Sequence, residues 1–144
     1  MKTQQLHQNT FHNILWDDQS HVIRLDWKEG TSSMTGEDFK KELTFFADQV
    51  EAKKAHGILV DVSQFRHKPG PDIEEWRLKN ISGRYDAAGV RRFAFLFPES
   101  VATPPAMKSS PAEKFETRAF NNVEEALAWL KGAAETQQRA SKHS

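Results

Sequence analysis

The chain has 144 residues and no cysteine, and its 20 lysines and arginines balance its 20 aspartates and glutamates. This length suits one domain with a genuine core, and the charge balance argues against a nucleic acid or an acidic membrane as partner. The lack of cysteine excludes disulfides and thiolate chemistry and fits a reducing cytoplasm. No run approaches the ~20 apolar residues of a membrane span, and Met1 to Thr10 lacks the apolar core of a secretory signal. We therefore expect a soluble, cytoplasmic protein.

The N-terminal third begins with a polar, glutamine-rich segment, residues 1–10, which we interpret as a flexible lead. Phe11 to Trp16 and His21 to Trp27 are two strand-like runs, and the turn-forming residues 17–20 between them predict a hairpin. In the second run one alternating set should point inward, namely Ile23, Leu25 and Trp27.

A helix should follow, because Thr35 and Asp38 have the spacing of a capping box. Apolar residues then recur at helical spacing up to about Ala55, in the set Phe39, Leu43, Phe46, Ala47 and Val50. Phe45 lies off this stripe. We predict that it sits at a rim or is buried by a second copy of the chain.

The central element is the apolar run from Gly57 to Ser63, which reaches Asp61 and Ser63 as it leaves the core. A β-branched run of this length, flanked by helical patterns, predicts the central strand of a parallel, helix-covered sheet. Ligands of such sheets bind outside the carboxyl ends of the strands. Asp61, Ser63 and the loop through Pro71 should therefore lie at the functional edge.

The second half continues the same alternation of strand and helix. Asp72 can cap a helix carrying Ile73, Trp76, Ile81 and Tyr85, with a kink or break at Ser82-Gly83 and an end at Gly89. Phe93 to Phe97 is a second buried strand, Pro98 to Ala112 a long surface loop, and Phe115 to Phe120 a further strand. A last helix, capped by Asn121 or Asn122, buries Val123, Ala126, Leu127 and Leu130 and ends at Gly132.

These elements predict one α/β domain over residues 11–132, followed by a flexible tail over residues 133–144. Its sheet should be mixed and mostly parallel, with about five strands, of which the first is antiparallel at an edge. Helices should pack on the sheet.

Three segments carry a family resemblance: Ile58 to Ser63, the strand Arg91 to Phe97 after Ala88-Gly89-Val90, and the closing stretch Phe120 to Leu130. Together they resemble the SpoIIAA-like family of STAS-type domains, a bacterial branch whose label also invokes CRAL-TRIO-type lipid transfer. The resemblance spans about Phe11 to Gly132. It implies an α/β fold without catalytic activity or cofactor.

STAS domains that antagonise anti-sigma factors carry a phosphorylatable serine at the start of the helix after the central strand. The corresponding stretch of this chain, Lys68 to Asp72, has no serine or threonine. We therefore expect no phosphoserine switch.

Two sets of polar residues invite a chemical interpretation. Asp61, Ser63 and His67 are the residue types of a nucleophilic triad, but Ser63 has no nucleophile-elbow context, so we favour a structural turn. The six histidines do not pair at i,i+4 and have no cysteine partners, so we expect scattered surface residues and no metal site. They are His7, His12, His21, His56, His67 and His143.

A cationic group follows the central strand and is the best candidate for a ligand site. Arg66, His67 and Lys68, with Arg77, Lys79 and Arg84 downstream, could hold an anionic head group; an ordinary solvated helix face is the alternative. We place the site between the Gln64 to Pro71 loop and the Pro98 to Ala112 loop, which contributes Met107. Trp76 and Phe97 would line its apolar part.

Two functions remain open. The first is a non-enzymatic module that binds an apolar or amphipathic anionic small molecule, such as a lipid, or a membrane-associated partner. The second is a homodimeric protein-interaction domain without a ligand, with Phe45 in its interface.

Overall fold

The computed structural model describes residues 3–101 and 113–132. Six strands form one sheet whose spatial order is the order of the chain. They are β1 (Thr3–Gln8), β2 (His12–Asp17), β3 (Val22–Trp27), β4 (Gly57–Asp61), β5 (Arg92–Leu96) and β6 (Glu116–Phe120). The helices are α1 (Gly36–Lys53), α2 (Ile73–Arg77), α3 (Gly83–Ala88) and α4, described over 123–132.

The sheet is mixed, as predicted. β1, β2 and β3 pair antiparallel, with the predicted hairpin between β2 and β3. β3, β4, β5 and β6 pair parallel, and Asp26, Asp61 and Leu96 stand side by side in register at their carboxyl ends. The predicted α/β class and mostly parallel sheet are therefore confirmed, with one strand more than expected.

The extra strand is β1, in the segment that the sequence assigned to a flexible lead. That assignment is wrong for Thr3–Gln8, which pairs with β2 through a ladder containing an irregularity between Gln5 and His7. Its side chains are exposed except for Leu6 and His7, which are half-buried. Because backbone hydrogen bonds hold this edge strand, it leaves almost no hydrophobic pattern in the sequence.

Helix α1 begins at the predicted capping box. The Thr35 hydroxyl accepts a hydrogen bond from the Asp38 N–H at 3.0 Å, and Asp38 Oδ2 accepts one from the Thr35 N–H at 3.1 Å. The helix buries Phe39, Phe46, Ala47 and Val50, whereas Leu43 is only half-buried. α1 therefore presents the predicted stripe to the sheet.

The predicted break at Ser82-Gly83 is a π-helical segment, Leu78–Ser82, which joins α2 to α3. The segment buries Ile81 and Ser82, and Tyr85 of α3 is also buried. Asp72 does not cap α2 with its side chain, because its own backbone is already helical; its carbonyl accepts the Trp76 N–H instead. Gly89, at a φ of 104°, ends α3 as predicted.

The two faces of the sheet have separate cores. On one face the inward residues of β3, β4 and β5 pack against α1, the π segment and α3. On the other, Val22, Leu59, Ala94 and Leu96 pack against Ala126 and Leu130 of α4. Val22, which the alternation placed on the outward side, is therefore buried, because α4 covers that face.

Candidate functional site

An apolar cavity of about 230 Å³ lies at the carboxyl ends of the parallel strands, between the sheet and helices α1, α2 and α3. The loop that follows β4 closes it with Phe65 and Pro69. Seven aromatic side chains line it, namely Trp27, Phe39, Phe46, Phe65, Tyr85, Phe93 and Phe95. The aliphatic part of the wall is Leu25, Leu43, Val60, Val62 and Ile73.

The cavity arises from the local fold. Phe93 and Phe95 alternate along β5, so both project toward the α1 side, as Leu25 and Trp27 do from β3. The short α2 and the π segment replace a regular helix over this end of the sheet. π turns inside helices are frequent at functional sites.

Two charged residues of α2 stand in this apolar wall, Glu74 and Arg77. Arg77 Nε donates to Glu74 Oε1 at 2.7 Å, and Nη2 contacts the same oxygen. Arg77 Nη1 donates to Ser82 Oγ and to Glu113 Oε2, each at 3.0 Å. Burial on its own lowers the pKa of Arg77, but its hydrogen bonds to Glu113 and Glu74 outweigh this and raise the pKa above its ordinary value. The guanidinium is therefore a fixed positive charge.

Tyr85 is the remaining polar residue of the wall. It is buried, and burial raises the pKa of its hydroxyl, so the phenol stays neutral. Its ring packs against Phe46, Phe93 and Phe115 at centroid distances of 6.0 to 6.3 Å. Tyr85 thus extends the aromatic surface without adding charge.

A second, smaller pocket of about 110 Å³ adjoins the cavity. The two share Glu74, Arg77, Phe93 and Phe95, and the smaller one extends to Glu113 and Thr117. The Arg77 cluster therefore stands at the boundary between them.

Asp61 and Ser63 form a tight turn at the end of β4. Asp61 Oδ1 accepts the Ser63 N–H at 2.9 Å and the Ser63 hydroxyl at 2.6 Å. The His67 ring packs against Phe39 and Phe65 instead, and its buried Nε2 has no hydrogen-bond partner among the described residues. The three residue types of a triad are therefore not assembled.

Asp61 also belongs to a charged group on the opposite face of the sheet from the cavity. Arg24 Nε donates to Asp26 Oδ1 at 2.6 Å, and Arg24 Nη2 lies 3.5 Å from Asp61 Oδ2. Burial raises the pKa of Asp26 despite the contacts with Arg24. These carboxylates already have partners within the chain.

Of the predicted cationic group, Arg77 lines the cavity, whereas Arg66, His67 and Lys68 do not. Arg66 and Lys68 are exposed, and Arg66 Nη2 lies 3.9 Å from Glu29. Trp76 is half-buried, packs against the core and does not line the cavity. The Lys40 ammonium lies 5.6 Å from its ring centroid. Met107 lies outside the described residues, as do residues 102–112 of the loop predicted to face this site.

The sequence placed the candidate ligand site at the edge of the sheet where this cavity lies, but it did not name the residues of the cavity wall. Arg77 appeared only as a downstream member of the cationic group. Its i,i+3 spacing from Glu74 on an amphipathic segment was the available signal. Phe97 does not line the cavity, whereas Phe93 and Phe95 do. All three share one parity, but Phe97 lies beyond the last residue of β5, Leu96, where the alternation no longer fixes its direction.

Phe45 is half-buried by the chain itself. Its ring lies 4.6 Å from that of His7 and stacks on His12 at 5.8 Å. His7 Nδ1 and His12 Nε2 are 2.8 Å apart, and His12 Nδ1 bonds to Glu42. The expectation that the histidines are scattered on the surface is wrong for His12, which is buried because β1 and α1 enclose it.

No group of three metal-ligating side chains occurs within residues 3–101 and 113–132. Over the same residues, the helices are too short or too polar to cross a membrane.

The fold and the cavity define a mixed α/β domain with a ligand-sized apolar space at the carboxyl edge of its parallel strands. The model of the SpoIIAA-like family matches residues 23–131, and the chain belongs to this family. Comparisons with curated proteins and with solved structures give no significant match.

Proposed function

We propose that this domain is a non-enzymatic module that binds an apolar or amphipathic small molecule, free or presented by a membrane-associated partner. The observation that supports it is the aromatic-lined cavity at the carboxyl edge of β3, β4 and β5. Concave, mostly apolar sites with a few polar groups are typical of small-molecule binding.

The volume limits the size of the ligand. An engineered cavity of about 150 Å³ holds benzene, so about 230 Å³ has room for roughly nine or ten non-hydrogen atoms. A medium-length alkyl chain or a substituted aromatic ring meets this limit. A long acyl chain of about twice that size would have to extend through the mouth of the cavity. Ligands this small bind with dissociation constants of about 0.1–1 mM.

An amide-resolved NMR titration with octan-1-ol tests the proposal. We expect the largest shifts in the loop from Val62 to Pro71 and in α2. The variant Val62→Phe should abolish them, because the larger side chain fills the cavity. The matched control is Val123→Phe, a half-buried valine of α4 on the opposite face of the sheet. Shifts confined to the opposite edge, near Gly57 and Val90, or no shifts at all, would contradict the proposal.

The second candidate function, a homodimeric interaction domain, is favoured by a shallow surface groove on α1 and α2. Phe45 and Trp76 line it together with Lys40 and Lys41. Part of the Phe45 ring is covered by His7 and His12. That leaves less apolar area for a partner than a fully exposed ring would offer, so we place this function second.

A further inference from the structure

Arg77 is the cation in the wall of the cavity, and its two carboxylate partners differ in exposure. The Glu113 side chain is 3% exposed and is fixed by the Ser82 hydroxyl at 2.6 Å as well as by Arg77. The Glu74 side chain is 67% exposed and reaches Arg77 from one turn away on the same helix. Glu113 is therefore held in place by burial and by two hydrogen-bond partners, whereas the exposed Glu74 side chain can rotate into water without leaving a buried site.

The two glutamates contact different sides of the Arg77 guanidinium. Nη1 is held by Ser82 and Glu113, which fix the side chain's orientation. The edge formed by Nε and Nη2 is occupied by a single oxygen of Glu74. That edge presents two parallel N–H donors, which is the geometry that a carboxylate accepts in a bidentate pair.

We infer that the ligand of the cavity is a monocarboxylate, and that its carboxylate displaces Glu74 from the Nε–Nη2 edge of Arg77. This inference rests on the proposed function and adds the head group to it. The apolar body of the ligand lies against the aromatic wall, while Glu74 turns outward to solvent. When no ligand carboxylate is bound, Glu74 takes its place and keeps the guanidinium of Arg77 paired.

A monocarboxylate fits better than a phosphate. The Nε–Nη2 edge offers two donors, and the other side of the guanidinium already carries the Glu113 carboxylate. A dianion would be repelled by that neighbour more strongly than a single charge. A neutral alcohol could fill the cavity, but its single uncharged oxygen cannot form the charged, bidentate pair that a carboxylate forms with the two donors.

The experiment compares octanoate with octan-1-ol, two probes of about ten non-hydrogen atoms, by NMR titration of the full chain. We expect octanoate to bind about tenfold more tightly than octan-1-ol at a pH where the acid is ionised. Glu74→Gln should raise the affinity for octanoate several-fold and leave octan-1-ol unchanged, because the variant removes the competing carboxylate. Arg77→Gln should remove the preference for octanoate.

Arg84→Gln is the matched control. Arg84 is an arginine of α3 that pairs with Asp48 and Glu51 and does not line the cavity. This variant should keep the preference for octanoate. Because Glu74 is mostly exposed, Glu74→Gln also tests the inference if Arg77→Gln does not fold.

The outcomes separate the two proposals. If octan-1-ol and octanoate bind equally and Glu74→Gln changes neither affinity, the head-group inference is overturned while the cavity proposal stands. If neither probe perturbs the amides around the cavity, the proposed function itself fails.

Discussion

At the scale of single residues, Asp61 and Arg77 show how two charged side chains at one sheet edge have different roles. One carboxylate oxygen of Asp61 accepts hydrogen bonds from the Ser63 N–H and hydroxyl, and the other oxygen lies near Arg24. Arg77 stands in an apolar wall with one edge covered only by an exposed glutamate. The first arrangement holds a turn together, and the second leaves the Nε–Nη2 edge of Arg77 paired only with the exposed Glu74 beside the cavity.

The structural role of Asp61 leads to a stability prediction. Asp61→Ala leaves the Ser63 N–H without its acceptor and Arg24 with one carboxylate fewer. We expect the free energy of unfolding to fall by about 1–3 kcal/mol, measured by urea denaturation. Ser63→Ala, the control, removes only the hydroxyl bond and should cost less. A variant as stable as the parent but impaired in octan-1-ol binding would make Asp61 a ligand-binding residue instead.

The candidate site shows what single-residue reasoning could reach. The apolar run ending in Asp61 indicated the edge of the sheet at which the cavity lies, because strand direction follows from the alternation of strands and helices. The sequence pattern could not show which arginine, Arg66 or Arg77, lies in the cavity wall, since both are close to that edge in the chain. The answer depends on which side chain α2 and the π segment turn toward Phe93 and Phe95, and that is a property of packing.

At the scale of elements, the amino ends of β4 and β5 meet the β2–β3 hairpin at His21 and His56. The His21 carbonyl accepts the His56 N–H at 2.8 Å, and the His56 carbonyl accepts the Arg91 N–H at 2.8 Å. The two imidazoles stack at 4.8 Å. This junction ties three strands together at the edge opposite the cavity.

The junction should make stability depend on pH. Burial, then the nearby His21 and Arg91, lower the pKa of His56 below its ordinary value of 6.5. The folded state therefore binds the proton less readily than the unfolded state does. The stability that the neutral ring contributes is present above pH 6.5 and is lost as the pH falls through the folded-state pKa.

We expect the thermal midpoint to drop between about pH 7 and pH 5, and the drop to be smaller in His56→Gln, which cannot titrate. Differential scanning calorimetry over this range provides the measurement. Parallel pH profiles for the parent and the variant would show that His56 does not contribute.

Helices and strands were predicted where apolar residues recur with a clear period. The prediction failed where backbone hydrogen bonds, rather than buried side chains, hold the element. The capping box of α1 and the apolar runs of β4 and β5 predicted their elements. β1 was missed because most of its side chains are polar and exposed. The kink in the second helical segment was predicted from Ser82-Gly83, but its π geometry was not, because it depends on how Ile81 and Tyr85 are buried.

At the scale of the whole molecule, the homodimer hypothesis makes its own prediction. Sedimentation at micromolar concentration should show a dimer that Phe45→Glu weakens, because a charge would be placed in the α1–α2 groove. Ala52→Glu is the control, since Ala52 is exposed on the same helix and does not line the groove. A strictly monomeric parent protein would rule this hypothesis out.

The order of the six strands has a consequence for how the chain folds during synthesis. Each strand lies beside the one that precedes it in the chain, so the sheet can grow in one direction and no strand has to be inserted between two that are already paired. The pairings of β3 with β4 and of β4 with β5 nevertheless join strands that are separated in the chain by helical segments, and such non-local pairing is slow to form. Of the elements that the structure describes, the helix that covers Leu59 and Ala94 is the last along the chain. Until α4 leaves the ribosome, one apolar face of the nascent sheet stays open to water, and this interval is when the chain is most exposed to aggregation and to chaperones.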